Sequence, residues 1–116
     1  MVFYGITKTF SLAGEQQYHT IGSFWDEMAA LHGLENLQGL GYLWKDGEIY
    51  YAIGLKEGRI AGCNFCLQLP DDGWTAAAGE TDRLQALYNE IYKDGPLRYE
   101  IETFYEDGRC EVRYRR

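Results

Sequence analysis

The sequence predicts an α+β fold in which one strand-helix-strand-strand unit occurs twice, giving an antiparallel sheet that carries two helices. Two offsets predict the duplication. Moved along the chain by 63 residues, Ile21, Phe24, Trp25, Glu27 and Met28 fall on Leu84, Leu87, Tyr88, Glu90 and Ile91. Moved by 61, Trp44-Lys45-Asp46-Gly47 falls on Tyr105-Glu106-Asp107-Gly108, and Leu40 on Ile101. One small insertion between helix and hairpin accounts for the difference. The pseudo-repeats run over about residues 1–58 and 59–116 of a single domain. A duplicated domain makes a concave seam where its halves meet.

Each element has a local reason. Residues 3–10 alternate and are rich in β-formers, so they read as a strand. Residues 13–20 read as a polar loop. Ile21, Phe24, Trp25, Met28 and Leu31 then recur at helical spacing, with Thr20 or Ser23 as a start cap and Gly33 as a left-handed stop. Residues 37–44 and 48–55 flank Lys45-Asp46-Gly47, and Asp-Gly tolerates the positive φ of a tight hairpin. Residues 60–69 read as a further strand ending at Pro70. Asp71-Asp72-Gly73 is a turn, and Trp74 to Ala78 resumes as extended chain. Leu84, Leu87, Tyr88, Ile91 and Tyr92 mark the second helix over residues 81–93, which Gly95-Pro96 stops. Residues 97–105 and 109–115 form the last hairpin around Asp107-Gly108.

Composition narrows the functional classes. With 116 residues and 46% apolar content the chain can bury one core. A net charge of −7 disfavours nucleic acid, whose phosphates need Lys and Arg, and attracts cations. No apolar run reaches the length of a membrane helix, which requires about 20 residues, and no signal peptide is evident at Met1-Val2-Phe3-Tyr4. Three cysteines, an odd number, do not make a secreted disulfide framework, so a cytoplasmic location is expected. Ten Tyr and three Trp exceed what a two-layer core requires, which hints at an aromatic-lined site.

A set of residues in order carries a family resemblance. Trp25 lies on the first helix, followed by Gly41-Tyr42 and Tyr51-Ala52-Ile53-Gly54 on strands. Pro70, Gly73 and Trp74 follow, then Gly79 before the second helix, and Glu102-Thr103-Phe104 on the penultimate strand. The pattern resembles the gyrase-inhibitory-protein-like (GyrI-like) small-molecule-binding family over nearly the whole chain. The same module is the effector-binding domain of AraC-type and MerR-type multidrug regulators. The resemblance implies a central ligand groove between the repeats that takes lipophilic, often cationic, compounds between aromatic walls. It implies that Glu102 meets the ligand's charge. No helix-turn-helix accompanies the module, so a standalone member is expected, without cofactor, nucleic acid or membrane partner. The loop from Lys56 to Arg59 is shorter than is usual for the family.

The residues themselves single out the same carboxylate. The repeat places Gly41 at the position equivalent to Glu102, so one half of the seam has a charge where the other has no side chain and leaves room. The alternative is an exposed strand glutamate, one of several in Arg98-Tyr99-Glu100-Ile101-Glu102. Trp25, Tyr51, Trp74 and Tyr88 are the candidate walls, with core packing as the alternative for each. Aromatic faces attract cations by about 0.5–2 kcal/mol. Tyr42, Trp44 and Tyr99 are held in reserve, and alternation puts Tyr42 and Trp44 on the face opposite Gly41. Cys63 and Cys66 spell C-x-x-C, but residues three apart on a strand point to opposite faces, so no metal site is expected. Catalytic motifs are absent around His19 and His32. If the chain is an enzyme, Glu102 is the general acid or base of a hydrolase that opens strained cyclopropane rings, as some proteins similar to this family do. Interaction with gyrase is the third reading that the resemblance implies.

Overall fold

Alternating apolar and polar residues from Val2 to Ser11 give strand β1, and the same logic builds a seven-stranded sheet in the computed structural model, which describes residues 1–116. The other strands are β2 (Leu37–Lys45), β3 (Glu48–Leu55), β4 (Phe65–Gln68), β5 (Thr75–Glu80), β6 (Tyr99–Phe104) and β7 (Arg109–Arg115). Helix α1 (Gln17–His32) follows β1, and α2 (Leu84–Tyr92) follows β5. All pairings are antiparallel, in the order β4-β1-β3-β2-β6-β7-β5.

That order contains the duplication. The triplet β1-β3-β2 is answered by β5-β7-β6, and β2 and β6 join the halves, with Leu40 opposite Ile101 at the centre. The unit is therefore β1-α1-β2-β3 and β5-α2-β6-β7. The boundary expected near residue 59 needs correction. Strand β4 pairs with β1 at the far edge, and β5 opens the second unit. Residues 60–64 are turn and irregular structure, so the strand expected over 60–69 shrinks to four residues.

Both helices lie on one face of the sheet. Phe24, Trp25 and Met28 of α1 pack against Ile49, Tyr51 and Ile53 of β3 and Phe104 of β6. Tyr88 and Ile91 of α2 pack against Val112 of β7 and Leu97. The opposite face carries Phe3, Leu40, Ala52 and Ile101, covered by Leu69 and Trp74. Burying a Leu- or Phe-sized side chain stabilises by about 1.5–3 kcal/mol, so each face is an independent reason for the strand registers.

Helix α1 starts earlier than its apolar stripe. Residues 13–15 form a 3-10 turn and the helix begins at Gln17. Thr20 and Ser23 are not caps. Their hydroxyls donate to the carbonyls of Gln16 and His19, four residues back inside the helix. Gly33 ends the helix at φ 84°, its N–H donating to Ala29 O at 2.8 Å. Leu31 is 71% exposed, because it falls at the margin of the stripe at 100° per residue.

The two Asp-Gly hairpins differ. Asp46 and Gly47 both take positive φ, 55° and 74°, in the two-residue turn after Lys45. In the second hairpin only Gly108 is positive, at 89°, and the Asp107 carboxylate accepts from Arg109 Nε at 2.6 Å. One dipeptide thus serves two loop lengths.

Candidate functional site

Between α1, α2 and the sheet lies a cavity of about 730 Å³. Its floor is β6, where period-2 geometry aims Glu100, Glu102 and Phe104 at the helices and Tyr99 and Ile101 at the back. Glu100 and Glu102 are each 4% exposed. The lining includes aromatic residues from four elements, among them Tyr18 and Trp25 of α1, Trp44 of β2, Tyr88 and Tyr92 of α2, and Phe104 of β6. Asp26, Asp82 and Glu106 stand at its rim, and no lysine, arginine or histidine lines it.

Hydroxyl groups hold the two carboxylates. Tyr51 donates to Glu102 Oε1, and Tyr88 donates to Oε2 at 2.8 Å. Trp25 Nε1 donates to the Tyr51 hydroxyl oxygen at 2.8 Å, so Trp25 reaches Glu102 through Tyr51. Tyr92, one turn beyond Tyr88 and stacked on it at 5.7 Å, donates to Glu100 Oε2 at 3.1 Å. Trp25 and Tyr88, equivalent in the repeat, therefore converge on one carboxylate from opposite helices.

Neither glutamate has a cationic partner. Burial raises both carboxyls above the ordinary carboxylate range. Glu100 is raised well above it, because burial, with the charge of Glu102 added, outweighs the bond from Tyr92. For Glu102, bonds from Tyr51 and Tyr88 oppose burial. Tyr51 and Tyr88 are themselves pushed well up by burial and by the nearby carboxylates, so they remain protonated donors.

The first half of the repeat explains how this polar cluster fits. Gly39 lies opposite Glu102 in the ladder, and Gly41 opposite Glu100. A Cβ on Gly39 would stand 2.7 Å from Tyr51 Cζ and 2.8 Å from Trp25 Cζ2. A Cβ on Gly41 would stand 2.8 Å from Glu100 Cγ and Oε1. The room expected at Gly41 for a ligand is therefore taken by the protein's own side chains.

Glu102, Trp25 and Tyr88 line the cavity. Tyr51 does not. It is fully buried and positions Glu102. Trp74 is on the other face of the sheet, stacked with Tyr99 at 6.2 Å and donating Nε1–H to Pro70 O, because Pro70 to Trp74 folds back over the Phe3–Ile101 cluster. Tyr42 stacks on Phe65 on that same face. Trp44 was expected beside Tyr42, but a β-bulge between Gly41 and Leu43 shifts the alternation and turns Trp44 into the cavity. Glu100 and Tyr92 had legible signals: Glu100 is two residues from Glu102 on one strand, and Tyr92 is four from Tyr88 on one helix.

The cysteines occupy separate places. Cys63 Sγ donates to Phe65 O, Cys66 is exposed, and Cys110 is buried on β7. No cluster of three or more His, Cys, Asp or Glu side chains is arranged to hold a metal. No helix is long and apolar enough to cross a membrane. Comparison with family models, with curated proteins and with solved structures gives no match.

Proposed function

We propose that this chain binds lipophilic cationic small molecules in the cavity between its two helices, with the charge against Glu102 and the apolar body between Trp25, Tyr88 and Trp44. A role in sensing or sequestering a drug or toxin follows from such binding, as the resemblance to GyrI-like effector-binding domains also suggests. The observation that carries the reading is a pair of buried carboxylates without a cationic partner, under aromatic walls and with no basic residue in the lining. A buried charge needs an opposite charge, and a bound cation supplies it. Aromatic faces add attraction for the same ligand.

The test is calorimetry with 2-naphthamidinium and its neutral isostere 2-naphthamide. The cation binds more tightly to the wild type. Glu102→Gln costs on the order of 2–5 kcal/mol of cation binding and less for the neutral compound. Equal losses for the two ligands refute Glu102 as the charge-recognising group. Affinity for the cation falls as pH drops through the raised carboxyl range, because the protonated acids no longer attract it.

A second reading is favoured by one feature, the weakened acidity of Glu100 and Glu102, whose carboxyls burial raises above the ordinary range. A carboxyl raised by burial holds its proton to higher pH than a free one, which suits a general acid, as a hydrolase of cyclopropane-type alkylating natural products requires. Recovery of the compound after incubation separates the two: a binder returns it intact, an enzyme consumes it.

A further inference from the structure

The cavity floor has a hydrogen-bonding character beyond its charge. The hydroxyls of Tyr51, Tyr88 and Tyr92 all donate to the glutamates, and the Trp25 N–H is engaged by Tyr51. These donors are thus committed to the protein. Two carboxylates offer about eight acceptor positions in all. The three hydroxyls fill three of them. On the α1 side of the same cavity, Gln17 Oε1 is buried with no hydrogen-bond partner. Unfilled acceptors thus come into this cavity from two elements independently, β6 and α1.

Glu100 and Glu102 share one face of β6, so their α-carbons are roughly 7 Å apart at a rise of about 3.3 Å per residue. A planar head group with several N–H donors spans such a pair, donating to both. A quaternary ammonium carries the same charge but has no N–H. It would displace water from the carboxylates and return no hydrogen bond, leaving buried acceptors unsatisfied.

We propose that the site selects cations bearing two or more N–H donors, of the amidinium or guanidinium class, bridging Glu100 and Glu102, over quaternary cations of the same size. This rests on the cation-binding reading and makes Glu100 a second ligand-binding residue. Tyr92 is a positioning residue, since its bond fixes Glu100 on the floor. Asp26, Asp82 and Glu106 at the rim attract either kind of cation and do not discriminate between them.

The experiment titrates wild type with 2-naphthamidinium and with 2-naphthyltrimethylammonium, which share the aromatic body and the charge. Wild type should prefer the amidinium by about tenfold or more, the scale of one charge-assisted hydrogen bond. Glu100→Gln should reduce that preference to about two- to threefold, because its amide presents a donor where the ligand also donates. Equal binding of the two cations, or tighter binding of the quaternary one, overturns the selectivity while leaving the cation site standing. Binding of neither removes the cation site itself. The wild-type comparison decides the matter even if Glu100→Gln fails to fold.

Discussion

Strands β2 and β6 are neighbours across the centre of the sheet and equivalents in the repeat, yet their helix-facing positions are opposites. On β2 these are Gly39 and Gly41, and on β6 they are Glu100 and Glu102. Around them the halves still match: Leu40 faces Ile101, and Trp25 and Tyr88 stand at one position of the two helices. What differs is who supplies volume and who supplies charge. The glycines create no vacancy. They admit the Tyr51 ring, the Trp25 edge and the Glu100 carboxyl, which could not otherwise gather under one roof. The site is an asymmetry within a symmetric frame.

The sharpest way to break that division is to give β2 a side chain. Gly39→Ala forces a methyl against Tyr51 and Trp25, both held by the sheet and helix behind them. It should cost about 3 kcal/mol of stability, measured by urea unfolding. A change below about 0.5 kcal/mol would show that the floor can shift freely, and the packing account of the glycines would fall.

The second test removes charge from β6. The sign follows from the raised carboxyls. A carboxyl raised in the folded state contributes fully below the unfolded carboxylate range, and that contribution is lost as pH climbs through the raised value. Ligand-free protein should therefore be more stable near pH 5 than near pH 8 as far as this pair is concerned. Glu100→Gln should gain on the order of 1–3 kcal/mol at pH 8 and much less at pH 5. Thermal unfolding at both values checks it, and a mutant less stable than wild type at pH 8 contradicts the account of an uncompensated charge.

The smallest effect concerns the link between the halves. Tyr51→Phe removes the hydroxyl that joins Trp25 to Glu102, leaving one indole N–H unpaired. It should cost about 1–2 kcal/mol. It should also raise the Glu102 carboxyl further, since a bond favouring the ionised form is gone. Carboxyl titration followed by NMR reads the second effect, and a lowered value would contradict it.

The duplicated frame was legible because period and turn chemistry repeat at nearly constant offsets. The position of β4 was not, since an apolar run from residue 60 to 69 looks like one strand whether or not its first half pairs. Glu102 stood out through its glycine counterpart, and Glu100 followed the same period-2 rule but was hidden among neighbouring charges. The face of Trp44 was not legible, because a one-residue bulge leaves no mark in composition and reverses the side chains that follow it on β2. Trp74 was misassigned because Pro70 to Gly73 decides which face it covers, and that choice is made by packing against Phe3 and Ile101.

The central pairing of β2 with β6 also limits how this domain can have been assembled from its parts. Joining two copies of the second unit through their β6 strands would put four buried glutamates at one seam, with no glycine to admit them. Joining two copies of the first through β2 would put four glycines there, with the Tyr51 hydroxyls and Trp25 N–H groups but no carboxylate. The first arrangement has too much like charge to bury and the second leaves those donors without a carboxylate to accept from them. Divergence of the two units is therefore a condition of the site's existence, and the chain that carries them both cannot be replaced by a symmetric pair of either.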